Sequence, residues 1–111
     1  MGIRTVVYLN DSPGHFFGYE EGHTLTEVAE FALDADLAAQ ISEGGVPAAA
    51  LGVVFRELNI DDPAADWAIR YRDERNRSLS VGDVVVLGET AWAVAGCGWT
   101  KVALRAEQIL R

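Results

Sequence analysis

The segment RSLSVGDVVVLGETAWAVAGCGW, residues 77 to 99, constrains the fold of this chain more than any other. Val84 to Leu87 is an unbroken aliphatic run of the kind that fits a pleated, buried surface. Gly88-Glu89-Thr90 is a short connection with the glycine that hairpin loops use. Ala91 to Ala95 then returns as a second strand, and Val81-Gly82-Asp83 is a turn into the first. A β-hairpin is therefore expected here, and the rest of the chain has to supply strands and helices that cover it.

Arg4 to Leu9, rich in Val and Tyr, reads as a first strand. Asn10-Asp11-Ser12-Pro13-Gly14 is turn chemistry, and residues 15 to 23 form a loop punctuated by Gly18 and Gly22. From Leu25 to Leu33 the pattern fits a strand with Leu25, Glu27, Ala29, Phe31 and Leu33 on one face. A helix remains open there, because Ala, Leu and Glu favour one. Asp34 to Ser42 is expected to be a short helix capped by Asp34 or Asp36, with Leu37, Ala38 and Ile41 on one stripe. The clearest helix starts with Pro47 in its first turn and carries Leu51, Val54, Phe55 and Leu58 on its apolar face. Arg56 and Glu57 are expected to face away, and Asn59 to end it. Asp62-Pro63 suits a short helical turn before Trp67, and Ala68 to Arg77 reads as a charged loop. The chain closes with a strand from Trp99 to Leu104 or a helix through Leu110. The fold class expected is α+β: a small mixed sheet with a C-terminal β-hairpin and one or two packed helices, in a single domain spanning residues 1 to 111.

With 111 residues and a 50% hydrophobic share, such a domain buries a core without disulfides or metal. The sole cysteine, Cys97, fits a small buried position and a reducing cytoplasm, so a cytoplasmic location is expected. The first residues read as a strand rather than a secretory signal. Val6 stands where a myristoylation pattern wants Ser or Thr. No run reaches the length of a membrane helix, and no membrane partner is expected. The net charge is −8, of which residues 1 to 46 carry −7 through eight acids and Arg4 alone. Direct nucleic-acid binding is therefore not expected. The bias to Arg over Lys suggests a GC-rich genome.

Several residue groups are candidate sites. Ser78 to Asp83 is either a tight turn, with Leu79 and Val81 in the core and the serines and Asp83 bonded to backbone N–H groups, or a binding loop in which Arg77, Ser80 and Asp83 meet a ligand. Phe16, Phe17 and Tyr19 either fold back over the core or expose a hot spot for a protein partner. Arg70, Arg72, Arg75 and Arg77 either clamp an anion or form a solvated loop pairing with the acidic first half. His15, His23, Glu20 and Glu21 match no metal-ligand spacing. There is no glycine-rich phosphate loop and no nucleophile with a local base, so no catalytic residue, metal or cofactor is expected.

Two stretches together, VVFRELNIDDP at 53 to 63 and RSLSVGDVVVL at 77 to 87, resemble the C-terminal part of YodL-like domains. The matching positions are Phe55, Leu58, Asn59, Pro63, Ser78, Leu79, Ser80, Val81, Asp83, Val84, Trp92, Gly98 and Trp99. Residues 64 to 76 lengthen the loop beyond the family's usual pattern. The front, VVYLNDSPGHFFGYEEGHTLTEV, resembles a small family of actinobacteria and their phages and plasmids. The resemblance implies a phage or mobile-element setting and carries no catalytic residues with it. The expectation is a non-enzymatic protein-binding module acting on a host or mobile-element protein. The alternatives are an acidic nucleic-acid mimic and a small-ligand-binding domain or enzyme using residues 77 to 83. A homodimer formed through a hairpin edge bearing Val84, Val86 and Trp92 is a further expectation.

Overall fold

The computed structural model describes residues 2 to 96 and 98 to 110, with Glu43 described by its backbone alone. The expectation for Cys97 lies outside the described residues. In chain order the elements are β1 (Gly2–Asn10), a 3-10 turn (His15–Phe17), β2 (Leu25–Asp34), α1 (Ala35–Ala38), a 3-10 turn (Glu43–Gly45), α2 (Ala48–Asn59) and α3 (Asp66–Asp73). They continue with β3 (Val84–Leu87), β4 (Thr90–Ala95), β5 (Gly98–Val102), a 3-10 turn (Ala106–Gln108) and β6 (Ile109–Leu110). The six strands form one curled mixed sheet in the order β5-β4-β3-β1-β2-β6. All neighbours are antiparallel except β2 and β6. The fold is α+β, and β3 and β4 form the expected hairpin.

Side-chain alternation divides the sheet into two cores. Val7, Leu9, Val85, Leu87 and Trp92 face α2 and α3, where Leu51, Val54, Leu58, Ala68 and Tyr71 meet them. Val6, Tyr8, Leu25, Val84, Ala91 and Ala93 face the other way, under Tyr19, Leu104 and Ile109. The C-terminal segment after β5 crosses from one sheet edge to β6 at the other, and this crossing covers the second face. β1 is covered on both faces, which is why Thr5 to Asn10 is buried without interruption.

Four details correct the reading of the sequence. First, Leu25 to Asp34 is a strand, but its face switches. A register shift opposite Val7 and Tyr8 pairs Val7 with Ala29 and Tyr8 with Glu27, leaving Val28 as the extra residue. This bulge turns Leu25 and Glu27 away from the helix-side face that Ala29, Phe31 and Leu33 occupy. Second, residues 68 to 77 do not form a loop throughout, because α3 runs to Asp73. Ala68 and Tyr71, three apart, make a buried stripe too narrow to show in so charged a segment. Third, Glu57 faces inward. It is 4% exposed, and its Oε1 accepts hydrogen bonds from the N–H groups of Ala64 at 2.9 Å and Ala65 at 2.8 Å. Glu57 thus pins, from α2, the two residues that lead into α3. Fourth, α1 stops at Ala38 and leaves Ile41 exposed, because Gly44 and Gly45 at positive φ turn the chain back so that Ser42 N bonds Val46 O at 2.8 Å. Asp34 caps α1 as expected, accepting from Asp36 N at 2.8 Å.

Pro47 stands just before the first helical residue of α2. Phe55 sits at the rim of the apolar face, edge-on to Trp99. Of the two endings the sequence left open, the strand forms, as Gly98–Val102. The hairpin strands offer no edge for dimerisation: β3 lies between β1 and β4, and β4 between β3 and β5. Among the described residues no helix is long and apolar enough to cross a membrane.

Candidate functional site

The 77 to 83 segment folds around one fully buried carboxylate, Asp83. Asp83 is the last residue before β3, and its backbone position is set by Gly82, whose N–H bonds Val94 O at 2.9 Å. Asp83 Oδ1 accepts from Asn10 N at 2.7 Å, and Oδ2 from Ser80 N at 2.8 Å. Arg77 completes the shell with a two-pronged pair: Nη1 to Oδ2 at 2.7 Å and Nη2 to Oδ1 at 2.8 Å. The guanidinium also donates to Asn10 O, Ser78 O and Ser80 Oγ. Hydrogen bonding to Asp83, more than its charge alone, raises the Arg77 pKa above its ordinary value, against the opposing effect of burial.

Neighbouring elements lock onto this centre. Tyr71 of α3 donates its hydroxyl to Arg77 O. Burial pushes the Tyr71 hydroxyl well above the usual phenol range; the Asp83 charge adds to the rise and Arg77 opposes it. Asn59, at the end of α2, binds both backbone groups of Leu79: Leu79 N donates to Oδ1 at 2.6 Å, and Nδ2 donates to Leu79 O at 3.1 Å. Asn10 Nδ2 donates to Gly82 O at 3.0 Å. The turn reading of this segment therefore describes its geometry, with Leu79 buried and Val81 half-buried. Every polar atom of Asp83 is engaged within the chain, and Arg77, Ser80 and Asp83 line none of five surface clefts.

The aromatic loop divides. Tyr19 folds back over the second core, and its hydroxyl accepts from Gln108 Nε2 at 2.8 Å. Phe16 and Phe17 instead project outward, 62% and 86% exposed, with ring centroids 4.5 Å apart. Their 3-10 turn is bounded by Gly14 at φ 77° and Gly18 at φ 120°, conformations that favour glycine. It is also anchored. His15 Nδ1 lies 3.0 Å from Val81 O as donor to that carbonyl, Ser12 Oγ accepts from Thr24 N at 2.8 Å, and Asn10 Oδ1 accepts from Ser12 N at 2.9 Å. Gly82 passes so close that a Cβ there would stand 2.3 Å from His15 O. The turn that carries the aromatic pair thus rests, through His15, on Val81 and Gly82 next to Asp83.

The arginines do not act as one cluster. Arg77 belongs to the buried centre. Arg72 donates to Ile60 O at 2.8 Å on the outside of α3. Arg70 lines a cleft beside Glu27, Phe31, Trp67 and Glu74. The histidines also serve separate partners. Both Asn10 Nδ2, at 2.9 Å, and Glu20 N, at 3.2 Å, point at His23 Nδ1, which therefore accepts. Among the described residues no group of three or more His, Cys, Asp or Glu side chains is placed to hold a metal ion. Carboxylates of the acidic first half are engaged locally: Glu30 with Arg4 at 2.6 Å, Glu21 with Arg105 at 2.6 Å, and Asp11 with Thr26 Oγ1 at 2.9 Å.

The sequence reading missed Asn10, Asn59, Tyr71 and Glu57 as partners of this region. Asn10 and Asn59 carried a signal, since an Asx residue ending a strand or a helix commonly bonds nearby backbone. Comparison with protein-family models, curated proteins and solved structures found no match to the chain.

Proposed function

We propose that this chain is a non-enzymatic protein-binding module that presents Phe16 and Phe17 to a host or mobile-element protein. One observation carries the reading: two large apolar rings stand side by side in solvent on a turn braced by His15, Ser12 and Gly82. Exposing such a pair has no folding benefit, whereas a rigid aromatic anchor binds a partner with little ordering cost. Both carboxylate oxygens of Asp83, the buried centre of the 77 to 83 segment, are already taken up by Asn10, Ser80 and Arg77. The resemblance to YodL-like domains supports the phage or mobile-element setting.

The test compares wild type with a Phe16→Ala, Phe17→Ala variant as bait in host lysate, followed by titration of the purified partner. Both rings are solvent-exposed, so the variant is expected to melt within a few degrees of wild type. Loss of a hot-spot aromatic costs about 2 kcal/mol or more, roughly a 30-fold loss of affinity per ring. Equal capture by both baits, or capture by neither, would overturn the reading.

A further inference from the structure

We propose that the outer edge of β2 takes up an extended, basic segment of another protein as an additional strand, at a surface separate from the phenylalanine pair. β6 pairs with β2 only at Leu25 and Thr26, and among the described residues no strand lies outside β2 beyond them. The register shows which backbone groups this edge offers. Arg4 turns its carbonyl toward Gly88 N at 2.8 Å, on the β3 side of β1. Alternate strand residues turn their backbone groups to opposite sides. Arg4 therefore faces Ala32 as a non-hydrogen-bonded pair, and Ala32 directs its N–H and C=O away from β1.

The space beside this edge suits a peptide. A cleft of about 300 Å³ lies between β2 and α3. Phe31 and Trp67 provide its flat apolar wall, stacked with ring centroids 4.1 Å apart and planes 4° apart. Edge strands are commonly blunted by lysine, proline or brevity. β5 follows that rule, with five residues and Lys101 among them. β2 has ten residues and neither Lys nor Pro; it carries a bulge at Val28, and from Ala29 to Asp34 its pairing with β1 is regular.

Charge selects the occupant. Glu27 and Glu74 line the cleft and form no salt bridge among the described residues, and Arg70 is the one cation lining it. A second copy of this chain fits poorly. It carries −8, and antiparallel pairing of two β2 strands about Ala32 sets Glu30 against Asp34 on both sides of the pair. The fitting strand alternates: basic side chains over the Glu27 face, apolar ones toward Phe31 and Trp67.

The experiment uses an eight-residue fluorescent peptide alternating lysine and valine, the same peptide N-methylated at alternate amides, and a glutamate–valine counterpart. The basic peptide is expected to bind wild type and to slow amide exchange at Ala32. N-methylation, and separately Ala32→Pro or Glu27→Lys in the protein, are each expected to weaken binding at least tenfold. The acidic peptide is expected not to bind, and Phe16→Ala, Phe17→Ala to leave binding unchanged. Proline is tolerated on an edge whose N–H faces outward. Should Ala32→Pro fail to fold, Glu27→Lys and the methylated peptide decide. Failure of the basic peptide to bind, equal binding of the methylated peptide, or a dimer in sedimentation that Ala32→Pro dissociates would each overturn the proposal.

Discussion

Asp83→Asn tests whether the buried centre is architecture. The substitution keeps the shape and removes the charge. One oxygen becomes an NH₂ group, which then faces the N–H of Asn10 or of Ser80, each a donor to Asp83 at 2.7 to 2.8 Å. The two prongs from Arg77 lose their anion as well, although the Arg77 side chain is 38% exposed and regains some hydration. Breaking a buried ion pair by removing one partner costs about 3–5 kcal/mol; the Arg77 exposure puts the expectation at the lower end, about 3 kcal/mol. Domain stabilities are about 5–15 kcal/mol, so the variant folds in the cold and loses a large share of its margin. Trp67, Trp92 and Trp99 give a fluorescence signal for urea unfolding. The expected result is a lower midpoint with an unchanged slope. A double-mutant cycle with Arg77→Met is expected to show coupling above about 1 kcal/mol. A cost below about 1 kcal/mol with no coupling would refute the reasoning and return Asp83 to the list of ligand-binding groups.

Gly82→Ala is expected to destabilise by more than about 2 kcal/mol, combining positive φ with a backbone clash, because Gly82 stands at φ 95° against His15 O. Gly22→Ala, at a similar φ of 96° but in open space, isolates the conformational part and is expected to cost only about 1 kcal/mol in the same urea assay. Arg75, at φ 64°, is the only non-glycine in the left-handed region among the described residues and follows α3; Arg75→Gly is expected to raise the melting temperature, by about 0.5–1 kcal/mol of stability. Tyr71 has a raised pKa when folded, so the native state holds its proton more tightly than the unfolded chain. Its contribution is fully present below about pH 10 and is lost as pH climbs toward the folded value; Tyr71→Phe is expected to lower stability at neutral pH and to flatten the decline above pH 10, measured by urea unfolding across that range.

Local patterns made the hairpin, β1, β2 and α2 legible, because each announces itself within a dozen residues. What stayed hidden depended on distant partners. α3 has only Ala68 and Tyr71 to bury, and the residues leading into it, Ala64 and Ala65, are held by Glu57 from the preceding helix. The bulge at Val28 is fixed by pairing with Val7 and Tyr8, not by any residue in β2 that favours it. The candidate site was legible as a list and not as an arrangement. Ser80 and Asp83 were readable as a turn, but the donor that completes Asp83 is the backbone of Asn10, 73 residues away. Whether Phe16 and Phe17 cover the core or leave it depends on the turn over Gly82, which sequence periodicity does not encode.

That contact ties the most recognisable segment of the chain to its most exposed feature. The Asp83 carboxylate at the centre of the 77 to 83 turn is fully engaged within the chain, while His15 rests on Val81 and Gly82, and the two phenylalanines follow His15 directly. The segment can therefore influence binding without touching a partner, by fixing where the rings stand. Loosening it costs affinity through disorder of the aromatic turn, since a mobile anchor pays an ordering cost on binding that a braced one does not. The 77 to 83 signature accordingly acts as scaffold for the aromatic turn. Under the proposed reading, the rings that this scaffold holds out select the partner.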